Sequence, residues 1–267
     1  MRGIRSLLEM TKFIIYLSVF IIASSCKDEE FTAPCLPLSL TSFGQDIRYE
    51  YDEQIKLTSI SYYSQGGSFV SRRVDLTYTN GKLSGAIDKS IDPSGVEILL
   101  NKYDLEYTGD KPSKLLIGLN PDSRETTKFS FDAKGRLLVR TKEFGSMITN
   151  TRYEYNEKDN VIKIFYTSAV STTEVLGREN ISFDDKARFY SGSKELEILN
   201  VFIFGYEPSK NNKLQSSVSW SNPSIQNTPP STEVYQLEYN DNALITSQLT
   251  TAFTSEFTFF RLKYTCD

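Results

Sequence analysis

The sequence predicts an all-β fold: an antiparallel up-and-down meander of about eight hairpins, roughly 16–17 strands, forming a large curved sheet, a flattened barrel or a porin-like barrel. Three observations predict it. A short pattern recurs, in which an aromatic or aliphatic residue, a polar one and an aromatic lead into Asp or Asn and a polar turn. Around each copy, apolar and polar residues alternate with period two, which sends successive side chains to opposite faces of a strand. Beyond the first 25 residues no segment carries a convincing helical period, and β-branched and aromatic residues dominate.

The chain opens on a segment that is not part of this fold. Basic residues (Arg2, Arg5, Lys12) precede an apolar run from Phe13 to Ala23, then Ser24-Ser25-Cys26. That layout is a secretory signal. With Glu9 inside the basic part, Met10 is as good a start as Met1. The run is 11 residues long, well short of the roughly 20 needed to cross a bilayer as a helix. A cysteine directly after small residues resembles a bacterial lipobox, which implies lipidation of Cys26 and removal of residues 1–25. Residues 26–44 then read as the lipidated cysteine and an acidic tether, and 45–267 as a single hairpin-repeat domain. The run Lys27-Asp28-Glu29-Glu30 resembles the acidic export tag of surface lipoproteins in Bacteroidetes. It implies an outer-membrane anchor facing the cell surface; the alternative is a solvated tether on a lipoprotein that faces the periplasm.

Removing the leader takes away three basic residues and one acidic residue, so the net charge moves from −4 to −6 over 242 residues. Nucleic-acid binding calls for a basic patch, and this balance argues against it. The chain has no histidine. That excludes a Ser-His-Asp arrangement and histidine-based metal sites, and nothing in the sequence calls for a cofactor. Once Cys26 is lipidated, only Cys35 and Cys266 remain. In an oxidising compartment an even pair invites a disulfide, which would tie the two ends of the domain together; the alternative is two unpaired cysteines.

The clearest copy of the repeat is Phe129-Ser130-Phe131-Asp132-Ala133-Lys134-Gly135-Arg136-Leu137. Alternation puts Phe129 and Phe131 on one face and Lys128 and Ser130 on the other. Asp132 can accept hydrogen bonds from its own turn, and Gly135 supplies a position with positive φ. Further copies end at Asp52, Asn80, Asp110, Asn156, Asp184 and Asn240, with Phe204-Gly205-Tyr206-Glu207 as a degenerate one. Asn80-Gly81 is the strongest two-residue hairpin signal. The turns are 22 to 33 residues apart, enough for one hairpin and its connection. A last strand runs from Phe257 to Tyr264.

The Asp132-Ala133-Lys134-Gly135-Arg136-Leu137 copy resembles the tyrosine-aspartate (YD) repeat of RHS proteins, whose hairpins wind into a shell. With the leader, residues 45–266 resemble a family of Bacteroidetes lipoproteins of unknown function with a porin-like fold. The resemblance implies that fold and an envelope location, and it transfers no catalytic residue.

An apolar face alternating with a polar one suits both a membrane barrel and a sheet with one buried face. The lipid anchor and the ending Tyr264-Thr265-Cys266-Asp267 favour a barrel that stays out of the bilayer. Some 16 strands leave an open lumen, so the apolar face must close by flattening into two layers or leave a groove for a ligand. Asp132, Asn156 and Asp184 are turn formers first. Asp184-Asp185, Glu157-Lys158-Asp159-Asn160 and Asn240-Asp241-Asn242 lack calcium-loop spacing, so no metal site is expected. Trp220, the one tryptophan, belongs to the core or rim, or else offers a sugar platform. The segment 221–231, with Asp92–Gly95 and Asn120–Asp122, lies at the end opposite the Asp turns, where loops can carry binding. The expectation is a non-catalytic, surface-exposed envelope lipoprotein, a binding or scaffold module for a glycan, a peptide or another envelope protein, its ligand unknown. The alternatives are a carboxylate-dependent glycan enzyme and a membrane-inserted barrel.

Overall fold

The computed structural model describes residues 35–42, 44–64, 66–120, 123–169, 171–219, 231–252 and 255–266, without the side chains of residues 172 and 251–259. The leader, Cys26, the acidic run, Trp220 and the loop at 221–230 lie outside the described residues.

Among the described residues sixteen strands run in chain order: β1 (Pro37–Ser42), β2 (Gln45–Tyr51), β3 (Leu57–Tyr63), β4 (Val70–Thr79), β5 (Lys82–Ile91) and β6 (Glu97–Thr108). They continue as β7 (Lys111–Ile117), β8 (Glu125–Phe131), β9 (Leu137–Phe144), β10 (Met147–Tyr155), β11 (Val161–Ser168) and β12 (Ser171–Ala187). After a helical insert come β13 (Asn211–Val218), β14 (Ser231–Tyr239), β15 (Ile245–Ala252) and β16 (Ser255–Tyr264). Each pairs antiparallel with its sequence neighbours, and β1 pairs with β16 to close a barrel. The closure is covalent as well, through the Cys35–Cys266 disulfide. Leu36 N donates to Thr265 Oγ1 at 3.0 Å beside it. Residues 37–42, which the sequence assigned to the tether, are a strand of the wall.

The Asp turns behave as their chemistry dictates. Oδ1 of Asp132 accepts from Lys134 N and Arg136 N at 3.0 and 2.9 Å, and Asp52, Asn156 and Asn240 repeat the pattern. The fourth turn position has positive φ in every one of these turns. Glycine fills it at Gly135 (85°), but Ile55 (65°), Asp159 (63°) and Ala243 (58°) adopt it too. Asn80 and Gly81 both have positive φ, as a type I′ hairpin requires.

Tyrosines at this end of the barrel point inward and tie neighbouring hairpins together. Tyr107 Oη donates to Leu83 O at 2.7 Å, Tyr155 Oη to Leu137 O at 2.6 Å and Tyr264 Oη to Ile245 O at 2.7 Å. Tyr51 and Tyr78 do the same to Pro37 O and Leu57 O. These aromatics line one end of the lumen and pack against its core. The outer face carries ion pairs instead, among them Lys128–Glu143 and Lys114–Glu106, each at 2.7 Å.

Two expectations are corrected. The barrel does not flatten to close its lumen: residues 188–210 fold into one end and fill it. Their helix α1 (Lys194–Ile198) is capped by Ser193 Oγ, which accepts from Leu196 N, and a wider π turn follows at Leu199–Ile203. Leu196, Leu199 and Val201 are buried in one cluster with Leu57, Leu83 and Leu115 from the wall. The rings of Phe129 and Phe131 both meet Phe202 of the insert, at centroid distances of 4.9 and 6.2 Å. Second, neither Asp184 nor Glu207 ends a hairpin. Asp184 lies inside β12, and Phe204–Glu207 is the exit from the π turn.

Candidate functional site: the lumen cup

Above the insert, the lumen keeps a cavity of about 510 Å³. The insert forms its floor through Asn200 and Phe204–Glu207. The walls are rich in tyrosine: Tyr49, Tyr62, Tyr153, Tyr166 and Tyr235, with Tyr190 from the insert. The cavity reaches Ser42 and Tyr166 on the side away from the Asp turns, and Tyr166 is 40% exposed. Burial holds the phenol groups protonated. Tyr62, Tyr153 and Tyr235 are each pushed up to about 12, chiefly by loss of solvent.

Charged groups gather at the floor. Arg140, on β9, is 7% exposed and reaches into the insert. It donates to Gly205 O at 3.2 Å and to Val201 O, so it seats the last turn of the insert by its free carbonyls. Gly205 is there for a reason: its φ is +80°, and a Cβ on it would lie 2.8 Å from Arg140 Nη1. Arg188 donates to Glu207 O. The Glu207 side chain accepts from Asn180 Nδ2 and from Ser209 Oγ, and Lys213 Nζ stands 3.7 Å from its Oε2. Burial pushes the Lys213 ammonium down to about 8, with Glu207 opposing and Arg178 and Arg188 reinforcing the shift.

Beside this group, Arg178 pairs with Glu233 at 3.1 Å, and Glu233 accepts from Ser216 Oγ at 3.2 Å and from Tyr235 Oη. Burial alone would raise the Glu233 carboxyl. The Tyr235 hydrogen bond and the charges of Arg178 and Lys213 outweigh it and hold the carboxyl below its usual range. Lumen positions are therefore not all apolar, and two carboxylates, Glu207 and Glu233, stand there in the grip of cations.

Of the residues singled out in the sequence, Cys35 and Cys266 come together, with Cα atoms 5.3 Å apart. Asp132, Asn156 and Asn240 are engaged in their turns. Asp184 binds Asn212 and Tyr239. Asp92 caps its own exposed turn through Ser94 N and Val96 N, both at 2.9 Å. None of these lines the cup. The cup residues escaped notice because they come from eleven strands and the insert, with no shared spacing. One signal for the insert was available: Ser193 as cap, then Leu196, Leu199 and Ile203 at helical intervals.

No protein-family model matches the chain, and no curated protein matches it. Among solved structures it is similar to a porin-like protein from Bacteroides uniformis ATCC 8492, at 14% identity and a TM-score of 0.51, over 88% of this chain and 98% of that one. The chain has a porin-like fold. A porin-like protein from Bacteroides vulgatus ATCC 8482 aligns over 85% of this chain and 98% of its own, at 11% identity and a TM-score of 0.40. The TcdB2-TccC3-Cdc42 structure aligns over 86% of this chain but 14% of its own, at 12% identity and a TM-score of 0.33. In this porin-like barrel the lumen is closed at one end by the chain's own insert, leaving a blind cup.

Proposed function

We propose that this protein is a non-catalytic cell-envelope lipoprotein whose barrel is a binding module, with the lumen cup as its site. The observation that carries the reading is the cup itself. Its volume of about 510 Å³ falls in the range of small-molecule sites, about 300–1,000 Å³. Tyrosine walls offer apolar faces with polar tips, a surface suited to sugar rings and peptide side chains. The location rests on the sequence: a removable leader, Cys26 as the lipidated residue, and Lys27–Glu30 as an outward-facing acidic run. We take the hairpins as diverged YD-like repeats, because Tyr51, Tyr107 and Tyr155 make one kind of inward bond and Asp52, Asp132, Asn156 and Asn240 one kind of turn.

The ion pairs along the outer face weigh against insertion in a bilayer, since a membrane barrel turns an apolar band outward. The glycan-enzyme reading draws on Glu207 and Glu233. Against it, both carboxylates are occupied by cations and hydrogen bonds, and Tyr235 is held protonated rather than activated.

A thermal-shift screen of oligosaccharides and short peptides on the full-length protein in neutral detergent tests the reading. A ligand should raise the Tm of the wild type and leave Thr151→Trp, which fills the cup, unmoved. Turnover of any glycan in the panel, lost in Glu207→Gln, would favour the enzyme instead. Cys26→Ala should abolish incorporation of labelled palmitate; retained labelling would remove the anchor from the proposal.

A further inference from the structure

Four cations face the cup: Arg140, Arg178, Arg188 and Lys213. Two carboxylates answer them, Glu233 to Arg178 and Glu207 to Lys213. Arg140 donates to the carbonyls of Val201 and Gly205, and Arg188 to that of Glu207 with the Tyr190 hydroxyl and ring beside it; among the described residues no carboxylate lies within ion-pair distance of either. A carbonyl satisfies the N–H groups but leaves the charge unbalanced, and an unbalanced charge is costly away from water.

The cations also converge. Arg140 binds Gly205 O, Arg188 binds Glu207 O, and Lys213 faces the Glu207 side chain. Gly205 to Glu207 is a stretch of at most about 7 Å. The Arg140 Nε is buried and has no partner. A guanidinium has five N–H donors, so both arginines keep donors beyond those used on the insert. Around this stretch stand the tyrosine walls.

We propose that the cup takes a small anion built on a ring, with its carboxylate or other oxyanion group held among Arg140, Arg188 and Lys213 and its ring against the tyrosines. This deepens the binding reading above and rests on it. Oxyanions suit the site because guanidinium groups grip carboxylate, sulfate and phosphate oxygens through paired N–H donors.

The proposal has a pH signature. The groups facing Lys213 are Glu207 and Arg188 of the insert, Arg178 on β12, and Glu233 and Tyr235 on β14. Lys213, held down to about 8, loses its charge between about pH 7 and about pH 9.5, while Tyr235, pushed up to about 12, keeps its proton. Affinity for an anion should fall as Lys213 loses its proton.

Calorimetry on the full-length protein in neutral detergent tests this with matched probes: glucuronate against glucose, and benzoate against benzyl alcohol. Each acid should bind at least about tenfold more tightly than its neutral partner, the scale of one charge-assisted contact. Arg188→Gln and Lys213→Met should each remove most of that advantage, and inorganic sulfate should compete with glucuronate. The wild-type pH series needs no variant, so a variant that fails to fold does not shelter the idea. Equal affinity for acid and neutral partner, or acid binding indifferent to pH and sulfate, overturns the inference and leaves the binding module standing. Failure of every probe and of the wider ligand screen removes both.

Discussion

Asp184 Oδ1 accepts hydrogen bonds from Lys186 N and from Asn212 N, both at 3.1 Å. In the simple Asp turns the same oxygen takes the amides two and four residues on. Here the second donor is 28 residues away, because the insert at 188–210 has been placed inside the turn. The turn's hydrogen bonds survive the interruption, and Ala187 pairs with Asn211 across it. The insert therefore enters the lumen without breaking the wall.

Asp184→Ala should destabilise the protein by about 3 kcal/mol, since hydrogen bonds to a charged acceptor are worth about 1.5–3 kcal/mol. Its neighbour Asp185 has an 86% exposed side chain, and Asp185→Ala should stay within about 0.5 kcal/mol of wild type. Urea midpoints of the two variants make the comparison. Equal effects would mean that the carboxylate of Asp184 does not hold the interrupted turn.

The turns differ in strain. Ile55 is β-branched, 42% exposed and at φ 65°, a conformation that costs an ordinary L-residue about 1–2 kcal/mol. Ile55→Gly should stabilise by about 1 kcal/mol after the extra freedom of glycine in the unfolded chain is subtracted. Gly135→Ala should lose about 1 kcal/mol or more for the converse reason. Thermal melts of both variants check the signs, which must be opposite.

Arg140 and Gly205 form one joint between wall and insert. Arg140→Met strands the carbonyls of Val201 and Gly205, at about 1–3 kcal/mol for each buried group left unpaired. Gly205→Ala pushes a Cβ against the same guanidinium. The two changes should be clearly less than additive in a double-mutant cycle, because each breaks the same contact. Full additivity would show that the joint is not shared.

Stability should change with pH in a defined window. The folded Lys213 has its pKa lowered to about 8 from 10.5, so between those values the unfolded chain binds more protons and stability rises with pH. Below about 8 both states are protonated and this term is flat. The gain from about pH 8 to about pH 10 is on the order of 2 kcal/mol. Above about pH 10 the phenols reverse it: Tyr62, Tyr153 and Tyr235 ionise more readily in the unfolded chain. A series of denaturant melts should show a maximum near pH 10, and Lys213→Met should flatten the rising limb.

Replacing Cys35 and Cys266 by Ser should cost up to about 5 kcal/mol, the chain-entropy figure for a loop this long. The double variant should unfold at lower urea, with its m-value raised by a more expanded unfolded state. A wild type indifferent to reducing agent during unfolding would contradict the bridge.

How much of this was legible in the chain depended on bulges. The sequence puts Phe129 and Phe131 on one face, and both meet the insert inside the lumen, because β8 keeps its alternation from Thr127 to Phe131. Asp132 and Gly135 were readable because a turn is local chemistry. Lys213 and Arg178 were not: the β12–β13 pairing shifts at Asn180–Ser182, at Ser182–Phe183 and again before Ala187, and the β11–β12 pairing shifts between Leu176 and Arg178. Each shift re-aims the side chains that follow. A charged residue in an alternating run also reads as outward-facing, which hid Arg140. The expected flattening assumed that the wall must fill its own lumen. The insert did so instead, and around its helix of five residues the sequence offers only the short spacing of Leu196, Leu199 and Ile203 as a signal.

The disulfide has a mechanical consequence. A seam of hydrogen bonds such as β1–β16, loaded from one end, opens like a zipper, one rung after another. Any tension carried by the chain upstream of Cys35 meets the Cys35–Cys266 bond first, and that bond passes the load to β16 as well as β1. Both sides of the seam are then pulled together instead of apart, and the barrel can be towed by its N-terminus without unravelling.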